Sequence, residues 1–398
     1  MAATTFDRQH PMQSFSRADI TLANWRTHPF SRWSFQNVQE FVPVAAIAAP
    51  GRESEPPGSG SLLKELSLRD PAGERITAVD HLENSHTDSF VVMRDWKILD
   101  EWHGAGVDPA KPHIVFSISK SVTGMLAGIA AGDGVLDPDA LVSRYLPEAR
   151  GSAYGTARVR DLLDMTVSVD FDEEYLDADG AFDRYRRAML WNPERTGTRT
   201  ENLGEFLCSL KPGGGAHGER FYYASPNTDM LGMVIERATG VRYADYLGER
   251  LWRPMGAAGQ AYVTVDRVGT ARAAGGVCVT VHDLARLGQL VLDQGRAQSG
   301  DQVIPTDWIA DMRRNGDARA WKDGNFAHMF EKGRYRSCWY DTGDGRGSFA
   351  AVGIHEQWLW VDPVSRIVLA KFSSRPEPSD DAASALEIRM LGQIAAAL

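Results

Sequence analysis

Strand-forming sequence lies at the two ends of this chain, and helical periodicity fills the stretch between them. SFVVMRDWKILDEWHGAG (89–106) carries two apolar runs about Arg94-Asp95 and predicts an antiparallel hairpin. FAAVGIHEQ (349–357), WLWVDP (358–363) and RIVLAKFSS (366–374) predict three more strands. Between them, VRDLLDM (159–165), NLGEFLCSL (202–210), TDMLGMVIERATG (228–240) and YADYLGERLW (243–252) repeat apolar residues every three or four positions, as one buried helix face requires. Helices are also expected over VHDLARLGQLVLDQG (281–295) and in the final SALEIRMLGQIAAAL. Segments at opposite ends can share a sheet only if the chain folds back on itself. The pattern therefore predicts an α/β sheet domain from 1–139 and 266–398, interrupted by an all-α domain at 140–265. Within the latter, 171–200 is aromatic, charged and long for a connection, and reads as a lid over a site. Residues 1–40, with Trp25, Phe30, Trp33 and Phe35, read as an arm packed on a larger body, and PGRESEPPGSGS (50–61) as a loop.

Composition narrows the partners. The 398 residues are 43% hydrophobic and 24% charged, enough for a sizeable core. A net charge of −10 argues against nucleic acid or an anionic membrane surface. No apolar run approaches the ~20 residues of a membrane span; the best, at 42–49, is far shorter. The start MAATTFDRQH has neither the basic nor the apolar region of a secretory leader. Three widely spaced cysteines (Cys208, Cys278, Cys338) suit a reducing compartment rather than a disulfide framework or a zinc site. A cytoplasmic protein is expected. There is no HExxH, no phosphate loop and no GxSxG elbow. His81, His86 and His103 read as surface or satisfied core groups, so no metal is expected.

The informative pattern is Ser-x-x-Lys, because the chain has only eight lysines. It occurs twice, as Ser61-Leu-Leu-Lys64 and Ser117-Ile-Ser-Lys120. Ser61 follows a Pro/Gly/Ser loop and reads as a helix N-cap. Ser117 instead opens the most apolar long helix, SISKSVTGMLAGIAAGDGVL (117–136), directly after a strand-like HIVF. Residues three apart share a helix face, so Lys120 can reach the Ser117 hydroxyl. A serine hydroxyl attacks only when a base takes its proton, and a desolvated lysine has its pKa lowered toward that role. The helix N-terminus supplies N–H groups and partial positive charge for an oxyanion. The same residues also read as an N-cap followed by a solvated lysine. In GERFYYASPNTDMLGMVIERATG, Tyr223, Ser225 and Asn227 stand immediately before an amphipathic helix. Tyr223 there can relay a proton and Asn227 can bind substrate or orient Lys120, or the two are a core aromatic and an N-cap.

The ordered set Ser117-x-x-Lys120, Phe221-x-Tyr223-x-Ser225-x-Asn227 and a Gly353-Ile354-His355 strand resembles the serine β-lactamase-related hydrolases. These include penicillin-binding-protein-like enzymes and esterases related to class C β-lactamases. FSISKS (116–121), YYASPNTD (222–229), AGGVCVTVHDLARLG (274–288) and VGIHEQWLWVDP (352–363) are most similar to the branch that hydrolyses the 6-aminohexanoate dimer of nylon. The resemblance implies a β-lactamase/transpeptidase-like fold, an antiparallel sheet flanked by helices plus an all-α domain. It implies Ser117 as nucleophile, Lys120 as base and Tyr223 as proton relay, with the N–H groups of Ser117 and Ile354 as oxyanion hole. Tyr175 would close over the substrate from the lid, Trp191 would be the lid tryptophan, and Asn227 and His355 would face the substrate. No cofactor, a small amide or ester substrate with carboxylesterase activity, and a homodimer are implied as well.

The chain also departs from the family. The Lys-Thr-Gly strand is absent, and Asp341-Thr342-Gly343 reads as a turn. His355-Glu356-Gln357 stands where the branch has His-Gly-Gln. An acid that meets the substrate's amino end is replaced by Arg186, with Asp183 three positions earlier, and an assisting Asn is replaced by Ala274. Strong activity on short acyl esters and weak activity on the dimer are therefore expected. A β-lactamase or D-alanyl-D-alanine peptidase, and a non-catalytic ligand-binding homologue, are the alternatives.

Overall fold

A computed structural model describes residues 15–49 and 61–398; the loop expected at 50–61 lies, but for Ser61, outside the described residues. The strands are β1 (Val44–Ile47), β2 (Ser67–Arg69), β3 (Arg75–Thr77), β4 (Thr87–Arg94), β5 (Lys97–His103), β6 (His113–Ile114), β7 (Ala261–Thr264), β8 (Val277–Val279), β9 (Arg334–Arg336), β10 (Trp339–Asp341), β11 (Phe349–Gly353), β12 (Gln357–Asp362) and β13 (Ile367–Ser373). A seven-stranded sheet runs β5-β4-β13-β12-β11-β10-β9, a four-stranded sheet runs β1-β7-β8-β6, and β2 pairs with β3. Adjacent strands are antiparallel throughout the large sheet. Within it lies the junction expected from the sequence, where β4 from the first third pairs with β13 from the last.

The predicted hairpin turns at Asp95 and Trp96, whose φ values of 50° and 66° are those a two-residue type I′ turn demands. β13 is buried along its whole length, which explains its nearly unbroken apolar run. Its one charge, Lys371, meets Glu387 of the C-terminal helix Asp381–Ala397 at 2.6 Å, and His81 lies 3.1 Å from the same carboxylate. Both partners of the Lys371–Glu387 pair are buried, so removing one strands the other. Glu387→Ala is expected to lower the unfolding free energy by about 3–5 kcal/mol in urea titration, and Glu387→Gln by less.

The helix Ile118–Gly132 is nearly all buried, and two of its glycines explain how it beds so closely. A Cβ on Gly124 would lie 2.2 Å from the Ser337 carbonyl oxygen, and one on Gly128 2.5 Å from the Trp308 ring. The other expected helices are Val159–Leu163, Leu203–Ser209, Ser225–Thr239, Tyr243–Leu247 with a π turn after it, and Val281–Leu292.

Three expectations need adjusting. The 140–265 segment is not helical to its end: β7 joins the four-stranded sheet, and four residues are too few to show a strand's alternation. The 171–200 segment is not structureless, since Ala181–Ala188 forms a helix that buries Phe182, Tyr185 and Ala188 at three-residue spacing. Gly353-Ile354-His355 is not a strand, because β11 stops at Gly353 and His355 and Glu356 take left-handed turn conformations. Asp341 closes β10 and Gly343 (φ 65°) follows in the turn, as read. The described part of the arm is packed: buried Trp25 donates its indole N–H to the Trp191 carbonyl at 3.0 Å, which ties it to the 171–200 segment. No helix among the described residues is long and apolar enough to cross a membrane.

Candidate active site

β6 delivers the chain into a tight turn at Phe116, a non-glycine residue at φ 43°. Such a conformation costs about 1–3 kcal/mol and persists only where packing fixes it. Here the Phe116 ring is buried against Trp25, Phe35, Trp191 and His355, at centroid distances of 6.4, 4.9, 6.1 and 5.3 Å. The turn sets Ser117, partly exposed, at the N-cap of Ile118–Gly132. One turn on, buried Lys120 places Nζ 2.8 Å from Ser117 Oγ and 2.8 Å from the Ala274 carbonyl oxygen. Burial pulls its pKa down to about 8, with Glu173 pulling the other way. Lys120 is therefore not a solvated helix residue. By contrast, Lys64 of the second Ser-x-x-Lys is exposed, and Ser61 occupies the N-cap of the short helix Leu62–Glu65.

Tyr223 completes the cluster from just before Ser225–Thr239. Its backbone N–H donates to Asn325 Oδ1 at 3.0 Å, its ring packs on Phe326, and Lys120 Nζ lies 4.8 Å from its ring centroid. Burial raises the phenol well above its ordinary pKa, and a hydrogen bond with Ser117 opposes that only in part. Tyr223 is thus a protonated hydroxyl facing the Ser117–Lys120 pair.

Two supports were not legible as site residues. Asp229 is fully buried; it accepts from the Ala274 N–H at 2.7 Å and from Tyr185 and Arg272. This unit fixes the Ala274 backbone whose carbonyl holds Lys120. Asp229→Ala leaves Arg272 uncompensated in the interior and should cost about 3–5 kcal/mol in urea unfolding. The second is Glu173 in the 171–200 segment, which accepts from the Ser225 N–H (2.6 Å), the Ser225 hydroxyl (2.7 Å) and the Tyr175 hydroxyl (3.0 Å). Asp229 sits inside YYASPNTD and Glu173 in the acidic run Asp172-Glu173-Glu174 two residues before Tyr175, and nothing local sets either apart as a site residue. A cleft of about 350 Å³ opens beside Tyr223, lined by Tyr175, Glu173, Phe326, Met329 and Ile388, with Asp172, Glu174 and Asp381 at its walls.

The remaining candidates surround this cluster in different ways. Tyr175 lines the cleft, and Arg186 holds it by donating to its carbonyl at 2.8 Å while stacking on Phe182. Burial lowers the Arg186 guanidinium to about 10. Asp183 is already engaged by Arg187, Arg195 and Asn192. Trp191 and His355 pack behind Phe116: the Trp191 indole donates to Thr264 Oγ1, and His355 Nδ1 is bound to the Arg375 carbonyl. Burial drives His355 down to about 3, leaving a neutral imidazole. Asn227 is buried in the first turn of its helix, accepting from the Tyr154 hydroxyl at 3.2 Å; it contacts the core there, with no bond to Lys120. Ala274 meets Lys120 through its carbonyl, and its methyl is fully buried. Ile354 follows Gly353, where a Cβ would come 2.6 Å from the Val115 carbonyl oxygen; that glycine lets the end of β11 lie against the turn before Ser117.

Fold and site together define a hydrolase of the serine type. The beta-lactamase family model matches residues 78–393, and the chain belongs to that family. It is 37% identical over 374 residues to the 6-aminohexanoate-dimer hydrolase of Paenarthrobacter ureafaciens, covering 93% of this chain and 92% of that protein. A solved structure from Bacillus anthracis, provisionally named a 6-aminohexanoate-dimer hydrolase, superposes with a TM-score of 0.87 at 25% identity, covering 96% of this chain and 98% of that one. A family VIII carboxylesterase shares the fold at 14% identity and a TM-score of 0.58, over 90% of this chain and 100% of its own. The expected β-lactamase/transpeptidase-like fold is the observed one.

Proposed function

We propose that the protein cleaves small esters and amides through an acyl-enzyme on Ser117. The observation that carries this reading is the 2.8 Å contact between Ser117 Oγ and a buried Lys120. Neutral Lys120 takes the Ser117 proton as Oγ attacks the substrate carbonyl carbon. The oxyanion accepts from the N–H groups of Ser117 and Ile354, a role supported by the close seat of Gly353 on the Val115 carbonyl. As the intermediate collapses, Tyr223 donates its proton to the leaving nitrogen or oxygen, and Lys120 restores it. Water then attacks the acyl-serine, with the same groups acting in reverse. A fluorophosphonate probe should label the protein, and Ser117→Ala should abolish labelling; a protein that takes no label would be a binding homologue.

The pKa of Lys120 sets a pH dependence. Only the neutral amine is a base, so kcat/KM for an uncharged nitrophenyl ester should rise with pH to a plateau above about 8. Glu173 holds the lysine's pKa up, so Glu173→Gln should move that limb to lower pH. A limb unmoved, or moved upward, would remove Glu173 from the electrostatics of the base.

For substrate choice, we infer a preference for short acyl esters over the 6-aminohexanoate dimer. Arg186 brings a positive charge beside Tyr175, and Ala274 offers its side of the site no polar side chain. The acids on the cleft walls temper this and leave measurable dimer turnover. In a panel of nitrophenyl acetate, the dimer and nitrocefin, kcat/KM should fall in that order, with acetate ahead of the dimer by about tenfold or more, the scale of one charged contact. Dimer turnover equal to that of the ester would show that Arg186 does not meet the substrate.

A further inference from the structure

We propose a divalent transition-metal site, of the zinc class, held by Glu101, His103 and His282. Glu101 and His103 are two apart on β5, so both side chains leave the same face of this edge strand of the large sheet. His282 comes from the first turn of Val281–Leu292, a helix packed across β4 and β13. Their ligand atoms all lie within 4.8 Å of one another.

Both histidines aim Nε2 at one oxygen of Glu101. His282 Nε2 is 2.6 Å from Glu101 Oε2, and His103 Nε2 is 3.5 Å from it. His103 Nδ1 is engaged by Ser89 Oγ at 3.0 Å, while its buried Nε2 has no hydrogen-bond partner. An outer partner on one ring nitrogen that frees the other toward a carboxylate is how metal-binding imidazoles are oriented. Around a tetrahedral zinc ion with bonds of about 2.1 Å, ligand atoms stand about 3.4 Å apart. The closest pair must open and the widest must close by about an ångström, within reach of side-chain rotations at partly exposed positions. Two imidazoles and one carboxylate select zinc-like ions over calcium or magnesium, which prefer all-oxygen shells. The side chains retain 10–19% exposure, which leaves room for water as fourth ligand. No zinc-binding sequence spacing exists here, because the ligands converge from positions some 180 residues apart. None of the three hydrogen-bonds to Ser117, Lys120 or Tyr223, so the role we assign is a clamp between the edge strand and the helix.

The test uses the full chain, stripped with a chelator and titrated with zinc chloride by calorimetry, with thermal unfolding as a second readout. One equivalent should bind with micromolar or tighter affinity and raise Tm, and Co²⁺ should give the visible absorption of a tetrahedral site. His103→Ala and His282→Ala should each weaken binding by at least about a hundredfold and abolish the Tm rise, and Ser89→Ala by about tenfold. Glu101→Gln keeps the shape of the cluster and should also lose the site, so the test stands if an alanine variant folds poorly. Absence of saturable binding would mean a hydrogen-bonded cluster only. Binding unchanged in His103→Ala and His282→Ala would place the metal elsewhere. Either result overturns the proposal.

Discussion

Ser117→Ala and Lys120→Ala are each expected to lower kcat on ester substrates by at least about 10³-fold while leaving the far-ultraviolet circular dichroism unchanged. In the proposed mechanism Ser117 supplies the attacking oxygen, and Lys120 Nζ lies within hydrogen-bond reach of it. Members of one catalytic unit do not add, so the double variant should be little worse than either single one. Lys120 also donates to the Ala274 carbonyl, so Lys120→Ala leaves that acceptor unpaired and should cost stability that Ser117→Ala does not. Comparing the two variants by urea unfolding separates this structural loss from the chemical one. Near-normal turnover by Ser117→Ala would defeat the assignment and turn attention to Ser61.

Tyr223→Phe should divide substrates by their leaving groups. An amine departs only when protonated, whereas a nitrophenolate leaves unaided. Loss of the hydroxyl should therefore cost about 10²–10³-fold on an amide and less than about tenfold on a nitrophenyl ester. The phenol is protonated across the working pH range because burial raises its pKa, so the effect should hold at every pH below 10. The ring stays in place, held by Phe326 and by the backbone bond to Asn325, neither of which involves the hydroxyl. Equal losses on both substrates would make Tyr223 a positioning residue.

The sequence by itself determined most of the longer elements and marked the residues proposed to react. Periodicity is local, so the β4–β5 hairpin, the run β11–β13 and the buried helix after Ser117 could be read before any contact was known. Ser117 and Lys120 are three apart at the start of one helix, a spacing that lets the base reach the hydroxyl. Tyr223 was legible only as part of an ordered motif, since nothing local brings residue 223 to residue 117.

Tertiary structure decided everything that depends on distant segments meeting. β7 is too short to announce itself, and it is a strand because β1 and β8 supply its partners. The Ala181–Ala188 helix is hidden by its charges, and it forms because Phe182 and Tyr185 find Phe171 and Phe206 to bury against. Asn227 and His355 are expected from the sequence to face the substrate, and folding gives them buried hydrogen bonds to the Tyr154 hydroxyl and the Arg375 carbonyl that no local pattern shows. Glu173 and Asp229 became supports of the site because folding set one carboxylate over Ser225 and closed the other around Arg272. His103, read from sequence as an ordinary surface or core group, joins Glu101 and His282 only where β5 meets the helix that carries His282. A charge's role is fixed by what shares its low-dielectric surroundings, and sequence separation carries no information about that.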